Sequence, residues 1–219
     1  MPSRRQILAS APFLFVSAAS AQEHHHHDFG DIDRWVSIFE EPGREKWQKP
    51  REVVDWLAPQ PHSTVADVGA ASGYFSRAFA HKLSKGWSIA VEIEPGFFKP
   101  IHQLAQKEGL RNVLTQLCPA DGPGLPADSV DCIFLCDTLH HIAPRQTYFQ
   151  EVRRCLRRGG SLALVEYFPD RELPFGPKKS ERLDPALVSE ELRQAGFRVR
   201  LNDQLLPYQY VIQANLPES

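Results

Sequence analysis

Three places in the chain hold side chains whose type and spacing suit chemistry on a bound nucleoside. The first is Gly69-Ala70-Ala71-Ser72-Gly73. It follows the apolar run Val65-Ala66-Asp67-Val68 and precedes apolar residues at Phe75, Ala78, Phe79 and Leu83, which is helical spacing. Strand, glycine-rich turn and helix in that order expose free main-chain N–H groups at a helix start to an approaching ligand. Glycine is needed there because a Cβ would block the approach or forbid the backbone angles. The second place is Glu92, which ends the run Trp87-Ser88-Ile89-Ala90-Val91 and lies 19 residues after Gly73. An acidic residue at that distance accepts hydrogen bonds from ribose hydroxyls. The third is the pair of strand ends Cys136-Asp137-Thr138-Leu139-His140-His141 and Glu166-Tyr167-Phe168-Pro169-Asp170. Ligands of open α/β sheets bind beyond such carboxyl ends.

These stretches carry a family resemblance. DVGAASGYFS followed by AVEIEP resembles the first two motifs of the class I S-adenosylmethionine-dependent methyltransferases. LPADSVDCIFLCDTLHHI resembles that family's fourth-strand motif and LRRGGSLALVEYF its fifth-strand motif, so the likeness runs from about residue 51 to 214. The resemblance implies that Asp67, Gly69, Ala71 and Gly73 wrap the methionine part of S-adenosyl-L-methionine, that Glu92 holds the ribose and that Asp121-Gly122 sit by the adenine. Tyr74 and Asp137 join the implied cofactor contacts. The family's middle glycine is Ala71 in this chain, which implies a slightly altered turn rather than a lost site.

Methyl transfer is an in-line displacement at a sulfonium methyl, so the protein must place a nucleophile and sometimes take its proton. His140 or His141 suits that proton, since imidazole titrates near neutral pH. The competing reading is structural, with one ring packed under the cofactor. Asp137 either binds substrate or caps the next helix, and is the third catalytic candidate. Tyr167 lines the pocket or simply finishes its strand. Asp137, His140 and His141 could ligate a cation with His24 to His27 folded back, but no C-x-x-C or H-x-x-x-H spacing supports it, and no metal is expected. Cys132 and Cys136 share a strand ~13 Å apart, too far for a bridge. Cys118, Cys132, Cys136 and Cys155 therefore read as buried free thiols.

The elements that must position these residues follow from the rest of the chain. Its 219 residues, 42% hydrophobic, suit one domain with a sizeable core, and a net charge of −2 gives no basic field for nucleic acid. Residues 1–21 read as a signal peptide: Arg4-Arg5, an apolar stretch from Ile7 to Ala18 too short to span a bilayer, and Ala19-Ser20-Ala21 as cleavage site. The paired arginines resemble a twin-arginine signal, an ordinary secretory leader being the alternative, so export to the periplasm is expected, or a cytoplasmic location if the leader is unused. Residues 22–50 form an N-terminal tail, with His24 to His27 either capturing a metal or lying free, and a short helix through Trp35, Val36 and Phe39 that is a lid over the site or a helix merely packed on the domain. Residues 51–219 form the main domain.

Within that domain, apolar runs alternate with helical patterns. A helix with Tyr148, Phe149, Val152, Cys155 and Leu156 on one face is expected to end at Gly159-Gly160. Asp184-Pro185 starts another, with Leu187, Val188, Leu192 and Ala195 as its core face. Seven strands alternating with helices imply an α/β, Rossmann-like, doubly wound and mostly parallel sheet. The resemblance makes its last strand antiparallel, beside the sixth. The expected activity is methyl transfer to a small-molecule acceptor, because no added recognition domain exists for a macromolecule. A non-catalytic nucleoside-binding module is the alternative. An NAD-linked oxidoreductase fits poorly, since G-A-A-S-G lacks G-x-G-x-x-G spacing.

Overall fold

The computed structural model describes residues 30–173 and 175–217. The signal peptide expected at 1–21 and His24 to His27 lie outside the described residues. Among the described residues seven strands form one sheet: β1 (Thr64–Val68), β2 (Trp87–Glu92), β3 (Val113–Leu117), β4 (Val130–Cys136), β5 (Leu156–Tyr167), β6 (Arg198–Asn202) and β7 (Gln209–Asn215). Their order is β3-β2-β1-β4-β5-β7-β6. β1 to β5 pair in parallel, and β7 is antiparallel to both β5 and β6. The strand order reverses between β1 and β4, and a crevice opens there at the carboxyl ends.

Alternation along the strands sorts the core onto two faces. Val65, Phe134, Ala163, Val165 and Val211 pack under α3 (Pro50–Leu57) and α4 (Tyr74–Lys82), through Val53, Val54, Leu57, Phe75 and Phe79. Their neighbours Ala66, Ile133, Leu135, Leu162, Leu164 and Ile212 pack under α6 (Arg145–Cys155) and α7 (Pro185–Gln194). A third cluster joins α5 (Phe98–Lys107) to Ala90 and Val113, and α1 (Ile32–Phe39) lays Ile32, Trp35, Val36 and Phe39 on it. Asp31 caps α1 by accepting from Arg34 N at 3.0 Å, and Asp184 caps α7 by accepting from Ala186 N at 2.7 Å.

Two expectations are corrected. The helix through Tyr148 and Phe149 stops at Cys155, so Leu156 is already strand and Gly159-Gly160 lie within β5. Val130 pairs with Leu156 and Cys132 with Ser161, so residues 157–160 bulge out of the ladder, with Gly159 at φ +73° making the turn. Leu187 does not face the core; it is half exposed on α7, whereas Val188 and Leu192 are fully buried. One helix had no forecast: α2 (Arg44–Gln48). Its C-cap Lys49 is left-handed at φ +46°, and Pro50 at once starts α3. That corner sets α2 over the carboxyl ends of the sheet.

Candidate active site

The turn after β1 is left-handed at three residues, Gly69 at φ +74°, Ala71 at +48° and Gly73 at +76°. A Cβ on Gly69 would lie 2.5 Å from Thr138 Oγ1, so glycine is required for packing as well as for its angles. Ala71 holds a conformation that glycine adopts more readily, and the turn keeps its shape with alanine in place. Ala71 N donates to Glu92 Oε2 at 2.8 Å. Glu92 Oε1 accepts from Ile93 N at 2.8 Å and Glu94 N at 3.2 Å. The carboxylate thus ties the turn to the tip of β2. Burial raises its pKa, against the pull of those main-chain donors.

Asp67 is buried beneath the turn, and its Oδ2 accepts from Ser76 Oγ at 2.6 Å. Burial pushes its carboxyl up to about 6. Tyr74 is half-buried at the start of α4, with the Arg44 guanidinium carbon 4.3 Å from its ring centre. Asp121 is exposed and Gly122 buried in the turn that leaves β3, and the first amide of that turn, Cys118 N, donates to Glu92 O at 3.1 Å.

The other half of the crevice is built at the ends of β4 and β5. Asp137 follows β4 in a left-handed conformation at φ +57°, with its N–H donating to Val165 O at 2.9 Å. Its Oδ1 is buried with no partner. Burial and then the Glu166 charge push this carboxyl up to about 7, against the pull of His140 and Arg44. His140 Nδ1 lies 2.9 Å from Glu166 Oε2, and Glu166 Oε1 accepts from Leu139 N at 2.7 Å. Burial lowers the His140 pKa, but the hydrogen bond and charge of Glu166 outweigh it and the net shift is upward. His141 is exposed and leans on His140, ring centres 4.1 Å apart. Asp137, His140 and Glu166 bring one ligand atom each within 4.8 Å of one another. His140 Nδ1 and Glu166 Oε2 face each other at 2.9 Å, which makes them an orienting dyad. All four thiols are free; Cys132 and Cys155 are buried, Cys118 and Cys136 partly so.

The residues before Pro50 complete the site. Glu40 Oε1 accepts from Ser72 Oγ at 2.5 Å, and its Oε2 pairs with Arg77 at 2.6 Å, so the end of α1 is fastened to the glycine turn. Arg44 donates to Phe39 O at 2.7 Å and, through Nε, to Gln48 Oε1. Its charge reaches Asp67 and Asp137. Gln48 Nε2 donates to Gln209 Oε1 at 3.0 Å and to Cys136 Sγ at 3.1 Å. Sequence reasoning missed Glu40, Arg44, Gln48 and Gln209, and it treated Glu166 only as a strand residue. An acidic residue in an otherwise apolar buried strand was the one available signal, and it pointed to Glu166.

Sequence and fold both resemble known proteins. The family model described as a methyltransferase domain matches residues 66–164. Aklanonic acid methyltransferase of Streptomyces sp. (strain C5) is 27% identical over 144 residues, covering 65% of this chain and 66% of that protein. The chain thus spans just under two thirds of that relative's length. A SAM dependent methyltransferase from Aquifex aeolicus superposes with a TM-score of 0.77 at 23% identity, over 85% of this chain and 99% of that one. Phosphoethanolamine N-methyltransferase 2 of Haemonchus contortus, in complex with S-adenosyl-L-methionine, superposes with a TM-score of 0.62 at 14% identity, over 78% of this chain and 53% of that one. The chain thus matches a methyltransferase-domain model over residues 66–164 and shares the fold of these two structures.

Proposed function

We propose that the protein is an S-adenosylmethionine-dependent methyltransferase acting on a small-molecule acceptor. The observation that carries this is the joint at Ala71 and Glu92: a left-handed turn at the head of α4, held by a buried carboxylate at the tip of the next strand. That pairing places a glycine turn and an acid suited to a ribose on one rim, at the switch point of the sheet; the turn's own amides at 69, 70, 71 and 73 are spent on Val91 O, Glu92 and Ala70 O, so they hold its shape. When bound, the cofactor supplies the electrophilic methyl and the sulfur leaving group.

In this reading Gly69, Ala71, Gly73 and Tyr74 line the methionine end, with Asp67 beneath them. Glu92 keeps lone pairs for the ribose, and Asp121-Gly122 border the adenine. Asp137 is the group at the acceptor. A carboxyl that titrates near 7 can take a proton at neutral pH. His140 stands behind it as a positioning residue, its ring fixed by Glu166, while His141 sits at the exposed rim. Export by the twin-arginine route is the proposed location. It rests on Arg4-Arg5 and the Ala19-Ser20-Ala21 site, and fractionation with amino-terminal sequencing of the mature protein tests it.

The functional test is calorimetric titration with S-adenosylhomocysteine. Wild type should bind in the micromolar range, on the order of −8 kcal/mol, and Glu92→Lys should abolish binding while the fold persists by circular dichroism. Equal affinity in both proteins, or none in either, would sink the reading.

A further inference from the structure

We propose that the acceptor is a planar molecule carrying a hydroxyl beside a carbonyl, read by Asp137 Oδ1 and Gln209 Nε2 beneath Trp47. This rests on the methyltransferase reading, which assigns the β1–β2 half of the crevice to the cofactor and leaves the β4–β5–β7 half to the acceptor.

The polar part of the argument begins at Arg44. A guanidinium can only donate, so the Gln48 oxygen must face it. The Gln48 amide group must then face the oxygen of Gln209, which it meets at 3.0 Å. Each amide orientation is dictated by the one before it, and the relay ends with a donor left over. That donor is Gln209 Nε2, buried and without a partner, on a fully buried residue. A second buried atom is in the same condition, the acceptor Asp137 Oδ1. Strand pairing connects the two: Gln209 lies opposite Tyr167 across β5 and β7, and Asp137 N–H bonds Val165 O on the same β5. Gln48 also reaches Cys136, the residue before Asp137.

Buried polar atoms left unmatched are costly, and a ligand that matches both removes the cost. A simple amine would serve Asp137 and leave the Gln209 donor idle. A bare carboxylate would serve Gln209 and set oxygen against oxygen at Asp137. A hydroxyl next to a carbonyl serves both.

The apolar part of the argument is the frame. Trp47, one residue before Gln48, has its ring centre 4.5 Å from Phe175, 6.1 Å from Tyr208 and 6.3 Å from Tyr167. The four rings therefore form one aromatic cluster, joined to the polar pair through Trp47 beside Gln48 and Tyr167 opposite Gln209. Aromatic faces favour a flat partner through offset stacking. Phe175 is 38% exposed on the loop after β5, so its ring has solvent to move into as a planar molecule enters.

The experiment uses the full chain saturated with S-adenosylhomocysteine, titrated by calorimetry with two isomers. In 1-acetyl-2-naphthol the hydroxyl and carbonyl are neighbours, and in 6-acetyl-2-naphthol they are on opposite rings. The first should bind about tenfold more tightly, the ratio expected when one buried hydrogen-bonding group is left unmatched. Gln209→Glu, which turns the donor into an acceptor at nearly constant shape, should erase that preference. Equal affinities for the two isomers, or no binding of either by the loaded wild-type protein, would overturn the proposal alone. Failure to load S-adenosylhomocysteine would overturn the methyltransferase reading and this one with it. The wild-type comparison stands even if the Gln209→Glu chain fails to fold.

Discussion

Ala71 and Glu166 show how single residues here serve geometry before chemistry. Ala71 keeps a left-handed backbone because its amide is drawn onto Glu92 at 2.8 Å, and the bond repays part of a conformational cost of roughly 1 kcal/mol for a residue with a Cβ. Ala71→Gly removes that cost without touching the amide. Its net gain should be below ~1 kcal/mol, a rise of ~1–3 °C in Tm. A lower Tm in the glycine variant would show that the alanine methyl packs in a way that outweighs its backbone angle. Glu166 is read through His140. Burial pulls that imidazole down while the Glu166 hydrogen bond and charge push it further up. In wild type the stability this brings is present below the ordinary histidine value and is lost as pH rises through the higher folded value. Glu166→Gln keeps the side-chain shape and removes the charge, so burial should win and the His140 pKa should fall below ~6.5. An NMR titration of the imidazole ring reads this directly. An unmoved midpoint would mean that the dyad does not set the protonation of His140.

At the scale of elements, the junction that matters is between α1 and the glycine turn. Glu40 accepts from Ser72 Oγ and pairs with an Arg77 side chain that is only 6% exposed, while Arg77 also holds Glu108 at 2.7 Å. Glu40→Ala leaves one of two carboxylates on a buried guanidinium and frees the Ser72 hydroxyl. The expected loss is about 1–3 kcal/mol in urea unfolding, together with faster proteolytic cutting between residues 31 and 48. Unchanged proteolysis would mean that the apolar contacts of Trp35 and Phe39 hold α1 without the latch. Elements with strong periodicity were legible in the sequence: the strand, turn and helix from Val65 to Leu83, the apolar strand Val130 to Cys136, and the Asp184-Pro185 helix start. The antiparallel last strand came from family likeness, since no local pattern states which strand lies beside which. α2 was not legible because five residues, REKWQ, are too short to show a period. Gly159-Gly160 looked like a helix stop because glycine breaks helices and forms bulges alike, and only pairing with β4 distinguishes the two. The partners of Arg44, Gln48 and Gln209 could not be read, as 161 positions separate Gln48 from Gln209 and their bond exists only once β7 is in the sheet.

Taken as one molecule, the chain buries acids where a charged ligand is expected, and its stability must show it. Asp67 is raised from 3.8 to about 6 and Asp137 from 3.8 to about 7, in both cases chiefly by burial, and Glu92 and His140 are raised as well. In the unfolded chain the same carboxyls lose their protons near pH 4. Between those values the folded state holds more protons than the unfolded state, so stability falls as pH rises. Glu108 is shifted the other way by His81 and Arg77, but its contribution is complete once pH exceeds the ordinary glutamate value, so it leaves this window flat. Each carboxyl still protonated only in the folded state costs ~1.4 kcal/mol per pH unit. For a chain of this size that is ~3–5 °C. The ligand-free protein should therefore lose about 5–10 °C in Tm between pH 5 and pH 7, once allowance is made for two carboxyls that titrate in sequence. Asp137→Asn should flatten the upper part of that slope and Asp67→Asn the lower part, because the amide has no proton to lose. Scanning calorimetry at half-unit steps of pH measures all three. A Tm that climbs across the window in wild type would mean that the two carboxylates are stabilised as anions in the folded protein. The site would then be charged before any ligand arrives, rather than kept near neutral by its own burial.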